Sequence, residues 1–184
     1  MAKKTKKKEA IVINLIGGPG CGKSIISAEL FAKFKREYTA CDISWEYIKK
    51  KLREKALKAI QSQIYIFGKQ QFQLFTMRDE VEVIVTDSPL ILSAIYDKSK
   101  CQSLKDLVLK EFNSYNNFTY FIERDKKVPY EQEGRYQDLK GAKKVDREVK
   151  KFMDENNIKY SVLQGIGQDS LDKILNDVKR KIGK

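Results

Sequence analysis

The chain contains no histidine among its 184 residues. This excludes Ser-His-Asp triads, histidine general bases and His-ligated metals, so any proton acceptor is a carboxylate, Lys, Tyr or Cys. Cysteine is scarce: Cys21, Cys41 and Cys101 are odd in number and lack metal-ligand spacing. No disulfide framework is expected, and a reducing cytoplasm is. No apolar run approaches the ~20 residues that span a bilayer, so no membrane partner is expected. The first nine residues are Lys-rich with no apolar stretch behind them, which excludes a secretory signal. With neither a repeat nor an interdomain linker, the chain reads as a disordered basic arm over 1–9 and one domain over 10–184.

Positive charge is abundant. The net charge is +12, of which five Lys and one Glu in the arm contribute +4, leaving +8 on the body. Two explanations stay open: solubility with attraction for nucleotide phosphates, or a polyanionic partner such as DNA or RNA. Lys is spread along the chain, so charge alone does not choose between them.

The most specific pattern is Gly17-Gly18-Pro19-Gly20-Cys21-Gly22-Lys23-Ser24, directly after the apolar run 10–16. It fits G-x-x-x-x-G-K-[ST] in the required context, a strand before it and a helix after it. Glycines allow the loop's N–H groups to converge on one concavity, and the following helix adds its dipole. Lys23 can reach the β- and γ-phosphates of a nucleotide, and Ser24 can ligate Mg²⁺.

Beyond this loop, strands and helices alternate, which predicts an α/β fold with a five-stranded, mainly parallel sheet and helices on both faces. The expected strands are 10–16, 39–44, 81–86, 118–122 and 159–163. The expected helices are 23–37, 46–59, 60–79, 89–96, 103–114, 137–156 and 169–182. The charged stretch 123–135 lacks an apolar stripe and is expected to be a lid.

Asp87 ends the third strand, at the sheet edge where ligands sit, and can hold Mg²⁺ through water. The alternative is a helix cap by Asp87 or Ser88. Ser88 stands where hydrolytic ATPases often place a water-activating Glu, which disfavours a motor. Glu46, with Asp42 as second candidate, could orient an acceptor hydroxyl and take its proton. Arg124, Lys127 and Arg135 lie in the expected lid, where closure would bring positive charge over the transferring phosphoryl group. Gln63 and Gln70 could read a base edge, and Trp45 or Tyr47 could stack on it, but helix surface and core packing are equally open to them.

Several of these segments coincide in one pattern: the glycine loop, Glu46-Tyr47-x-Lys49, Gln63-x-Tyr65 through Gln70, Thr86-Asp87-Ser88-Pro89, and Arg124 through Asp146 with Gly134-Arg135-x-Gln137. Together they resemble a family of bacteriophage P-loop kinases related to thymidylate kinases, some of which are 5-hydroxymethyluracil DNA kinases. The resemblance covers nearly the whole chain after the arm. It implies a P-loop NTPase kinase fold with an Arg-bearing lid, ATP and Mg²⁺ as cofactors, and phosphoryl transfer to a modified pyrimidine in phage DNA. Relatives of this type are often dimers. Two departures stand out. Ile25 replaces the usual small hydroxyl residue after Ser24. Ser88 stands where thymidylate kinases tend to have an Arg that grips a 5′-phosphate, which favours a hydroxyl acceptor. A kinase of free deoxynucleosides or nucleotides, and an ATP-sensing module without transfer, are the competing readings.

Overall fold

In the computed structural model of the protein, the described residues are 9–37, 39–48, 51, 54–125, 130 and 138–183. Residues 1–8 of the expected arm, Lys127 and Arg135 lie outside them. The strands are β1 (Ile11–Ile16), β2 (Cys41–Ser44), β3 (Val83–Thr86), β4 (Asn116–Glu123) and β5 (Ser161–Gln164). The helices are α1 (Lys23–Arg36), α2 (Leu57–Gln61), α3 (Gln63–Met77), α4 (Ile91–Tyr96), α5 (Gln102–Asn113), α6 (Leu139–Glu155) and α7 (Gln168–Ile182).

All five strands run parallel, in the order β2-β3-β1-β4-β5. β1 is buried at every residue, as a central parallel strand must be, because helices cover both of its faces. Alternation divides it: Val12 and Ile16 join the core beneath α3–α6, whereas Ile11, Ile13 and Leu15 join the core beneath α1 and α7. Each fully buried Val, Leu or Ile contributes about 1.5–3 kcal/mol through burial. The one polar residue in β1, Asn14, is satisfied by the Val12 carbonyl and by Asn117 of β4.

Register decides which loops meet. Thr86 pairs with both Asn14 and Ser44, so β1, β2 and β3 release their chains at one edge of the sheet. The glycine loop, residues 45–46 and Asp87 therefore emerge side by side.

Several expected boundaries move. The helix expected over 60–79 begins instead at Gln63, because Ser62 caps it by accepting from the Tyr65 N–H at 3.3 Å. Within the stretch expected to be helical over 46–59, Tyr47, Ile48 and Lys51 are helical, a turn follows at 54–55, and α2 begins at Leu57; residues 49–50 and 52–53 lie outside the described residues. β2 starts at Cys41 and β3 at Val83, shorter than expected, and β4 extends two residues before and one beyond its expected span. Its partner β1 runs the full width of the core, so pairing carries β4 past its own apolar centre.

Candidate active site at the glycine loop

The loop's shape follows from its glycines at two positions in particular. Gly22 has φ +93° and serves as the N-cap of α1, and a Cβ there would run into Ile166. Gly18 is pressed against α6: a Cβ would lie 2.5 Å from the Ala142 carbonyl and 2.7 Å from the Asp146 carboxylate. No side chain caps α1, and its first turn carries no acidic residue, so nothing in the helix neutralises its positive end. That end faces the loop.

Lys23 is nearly buried and lies back across the loop, its Nζ donating to the Gly17 and Gly18 carbonyls at 2.8 and 2.9 Å. Next to it, the Ser24 hydroxyl donates to Asp87 Oδ2 at 3.1 Å. Asp87 is fully buried, and its other oxygen accepts the Glu46 backbone N–H at 2.7 Å. One carboxylate thus ties the loop to the chain leaving β2. The alternative of a helix cap is not what Asp87 does: α4 has no side-chain cap, and the Ser88 N–H is held by Thr86 Oγ1. Ser24 and Asp87 are hard oxygen donors within reach of one cation and fit Mg²⁺, which takes one or two carboxylates plus substrate phosphates. No cluster of three potential metal ligands exists among the described residues.

Asp42 does not join this group. It pairs with Ile84, three residues below Asp87 in register and so roughly 10 Å back along the sheet. Its carboxylate accepts from the next residue's own N–H, at 2.7 Å.

The two glutamines diverge. Gln70 is buried, donating to Ser44 Oγ at 2.8 Å and accepting the Tyr47 N–H at 3.5 Å, while Ser44 Oγ donates to Gln73 at 2.9 Å. These bonds clamp the end of β2 onto α3, so here Gln70 braces the residues that carry Glu46. Gln63 is half-buried in the first turn of α3. Trp45 is exposed, and Tyr47 meets Tyr65 edge to face, hydroxyl to hydroxyl at 2.6 Å.

Arg124 leaves β4 toward the loop and is held by Asp146 of α6, with Nε to Oδ2 at 2.5 Å and Nη2 to Oδ1 at 3.3 Å. The same carboxylate accepts the Gly18 N–H at 2.6 Å. Asp146 therefore connects the glycine loop, the root of the expected lid and the helix that follows it. Sequence reasoning assigned no role to Asp146 itself. Its only signal was the spacing from Arg124, because a carboxylate in a charged amphipathic helix looks like surface. Sequence reasoning gave Tyr96 no role; burial raises its hydroxyl pKa, and the negative fields of Glu46, Cys21 and Asp146 add to that.

A parallel sheet with a glycine loop after its central strand, a Lys-Ser pair opening the next helix and a buried carboxylate after the neighbouring strand define a P-loop nucleotide-binding domain. Residues 12–169 match the family model described as AAA domain, and the chain belongs to that family. No curated protein is similar enough in sequence to count as a relative. Among solved structures, the chain is similar to deoxyadenosine kinase from M. mycoides with the products dCMP and a flexible dCDP bound. Identity is 18%, the TM-score is 0.63, and the match covers 92% of this chain and 99% of that one. The same enzyme with bound dATP matches at 18% identity and a TM-score of 0.60, over 91% and 99%. Thymidylate kinase from Ehrlichia chaffeensis matches at 11% identity and a TM-score of 0.61, over 93% and 99%. The fold is that of the P-loop nucleoside and nucleotide kinases.

Proposed function

We propose that the protein is an ATP-dependent kinase that transfers the γ-phosphoryl group to an alcohol, the hydroxymethyl group of 5-hydroxymethyluracil or a similar modified pyrimidine in phage DNA. The observation that carries the kinase reading is the double use of Asp87, which binds Ser24 of the loop and the backbone of Glu46. The acceptor-side carboxylate is thereby anchored beside the phosphate loop. Catalysis of this kind is mostly positioning and charge stabilisation. The loop N–H groups and Lys23 hold the phosphates, and Glu46 orients the acceptor O–H and receives its proton. Arg124, with Lys127 and Arg135 of the lid, adds positive charge on closure. Mg²⁺ held by Ser24 and Asp87 would neutralise charge on the phosphates.

Two features support DNA as the acceptor. One is the family resemblance of the motifs. The other is α6, where Lys140, Lys143 and Arg147 are exposed on one face, form no ion pair with a described residue, and start beside the loop at Ala142. The second reading, a kinase of free deoxynucleosides or nucleotides, is supported by the likeness to deoxyadenosine kinase over 92% of the chain.

The test is transfer of labelled γ-phosphate from ATP with Mg²⁺ to 5-hydroxymethyluracil duplex, unmodified duplex, free deoxynucleosides and their monophosphates. Label in the modified duplex alone is expected, with log affinity for DNA falling linearly with log salt. Label in a free nucleoside or nucleotide establishes the second reading. ATP binding without transfer to any acceptor would leave a nucleotide-sensing module.

A further inference from the structure

The two helices that share one face of the sheet, α1 and α7, both end in cations. The last turn of α1 carries Lys33, Lys35 and Arg36, and that of α7 carries Lys179, Arg180 and Lys181. All but Lys179 are exposed. In a parallel sheet the helix after a strand runs back to the edge where the strands begin, so α1 ends at the pole opposite the glycine loop. The end of α7 meets it there: Lys179 Nζ lies 2.9 Å from Oε2 of Glu37, just past the end of α1. The chain enters at the same pole, where Glu9, Ile11, Glu82 and Ile182 line one small cleft. Directly before Glu9 in the sequence stand Lys3, Lys4, Lys6, Lys7 and Lys8. Cations at a helix C-terminus complement its dipole. Here that is not a sufficient reason, because α3 and α6, as long or longer, end at the same sheet edge on the other face with no basic residue in the last turn. The charge is gathered on one face. Eleven cations stand against Glu9, Glu37 and Glu82, a net +8 in a chain of net +12.

We propose that this pole is a second DNA contact, which holds the phosphate backbone of a duplex at a distance from the reacting base. The length of β1, Ile11–Ile16, sets that distance at roughly 20 Å. Phosphates recur along both strands of a duplex, and a face of cations binds them through counterion release without reading bases. Neither last turn exposes a large apolar side chain, so the face lacks the groups that insert into a lipid surface. The choice of DNA as the polyanion rests on the proposed acceptor. Lys140, Lys143 and Arg147 of α6 stand toward the glycine-loop end of the sheet, so long DNA held at the far pole stays at high effective concentration near the loop. The pole adds affinity and takes no part in transfer.

The test is binding of the full chain, without ATP, to a labelled unmodified duplex, read by anisotropy across salt. Arg36→Gln with Arg180→Gln should reduce the slope of log affinity against log salt by about 2, since each lost phosphate contact removes about 0.9. Replacing Lys3, Lys4, Lys6, Lys7 and Lys8 by Gln should reduce it by about 3 or more. Lys110→Gln with Lys159→Gln, an equal loss of charge from exposed positions away from α1 and α7, should leave the slope as it was. ATP affinity should be the same in every variant. Arg36 and Arg180 are exposed, so circular dichroism should stay that of the native chain. No duplex binding by the native chain overturns the proposal. So does a slope that neither pole variant moves, or that the control pair moves equally, and so does tighter binding to vesicles of anionic lipid than to duplex. Phosphorylation of modified duplex with an unmoved slope would remove this contact and leave the kinase reading. Duplex binding at the pole without transfer to any acceptor would do the reverse.

Discussion

The two flanks of Lys23 are built in different ways. The nucleotide flank is one contiguous stretch, residues 17–24, made largely of backbone groups and supported by a strand that is buried at every position. The flank proposed for the acceptor is assembled from three separate places: Ser44 at the end of β2 with Glu46 just after it, Gln70 and Gln73 on α3, and Asp87 after β3. Its parts are joined by side-chain hydrogen bonds spanning 23 to 41 residues of sequence. A contiguous backbone site needs only the right local conformations. A dispersed one needs the register of three strands and the seating of a helix before any of its groups meet. On this comparison, nucleotide binding should be robust to changes elsewhere in the fold, and acceptor chemistry should be sensitive to them.

The largest expected effect strikes the nucleotide flank. Lys23→Ala should lower phosphoryl transfer by about 10³-fold, as loss of a main charge-stabilising donor does. Stability should change by only about 1 kcal/mol, because the lost contacts are two hydrogen bonds to loop carbonyls. Steady-state rates beside a denaturant titration check both, and unchanged turnover would end the assignment of the loop.

Next in size is Glu46→Gln, which should lower kcat by about 10²-fold or more while leaving ATP affinity as it was. Its backbone anchor to Asp87 survives the substitution, so the variant isolates the carboxylate. A pure loss of ATP binding, measured by calorimetry, would move Glu46 to the other flank.

Asp146→Asn is expected to act more weakly, by about tenfold in kcat/KM, mainly through the KM for ATP. The amide can still accept the Gly18 N–H but no longer opposes the charge of Arg124. A change confined to the acceptor's KM would place Asp146 with the dispersed flank instead.

The smallest effect concerns stability on the acceptor side. Burial raises the thiol of Cys41, the first residue of β2, from its usual 9.0 to about 12, with Lys35 opposing and Asp42 adding. The folded state therefore favours the protonated thiol. This contribution is complete below pH 9, where the unfolded thiol is also protonated, and is lost as pH rises from 9 toward 12. Urea midpoints should fall more steeply across pH 9–11 in the native chain than in Cys41→Ala, by on the order of 1 kcal/mol. The same burial makes Cys41 and Cys21 slow to alkylate, whereas Cys101 is exposed and should react first.

How much was legible in advance divides along the same line. The alternation of apolar runs and amphipathic stretches was enough for the five strands and for the glycine loop, since both rest on local patterns. The break at Ser62 was misplaced because the apolar spacing continues through it, and one capping hydroxyl decides where the helix starts. Asp42 stood as second candidate to Glu46 among the acids near the second strand, and only its pairing with Ile84 sets it below the sheet edge. Gln70 looked like a polar residue on a helix surface until α3 turned it inward onto Ser44.

Sequence alone thus specified a phosphate loop, its Lys-Ser pair and a carboxylate after the third strand. Those features depend on residue type and on short spacing along one chain. Tertiary structure alone decided that Asp87 would hold both Ser24 and residue 46, that Asp146 would join Gly18 to Arg124, and that α3 would keep an apolar face turned outward. Each of these depends on how separate elements are paired and packed, through interactions that act across space between residues far apart in the chain.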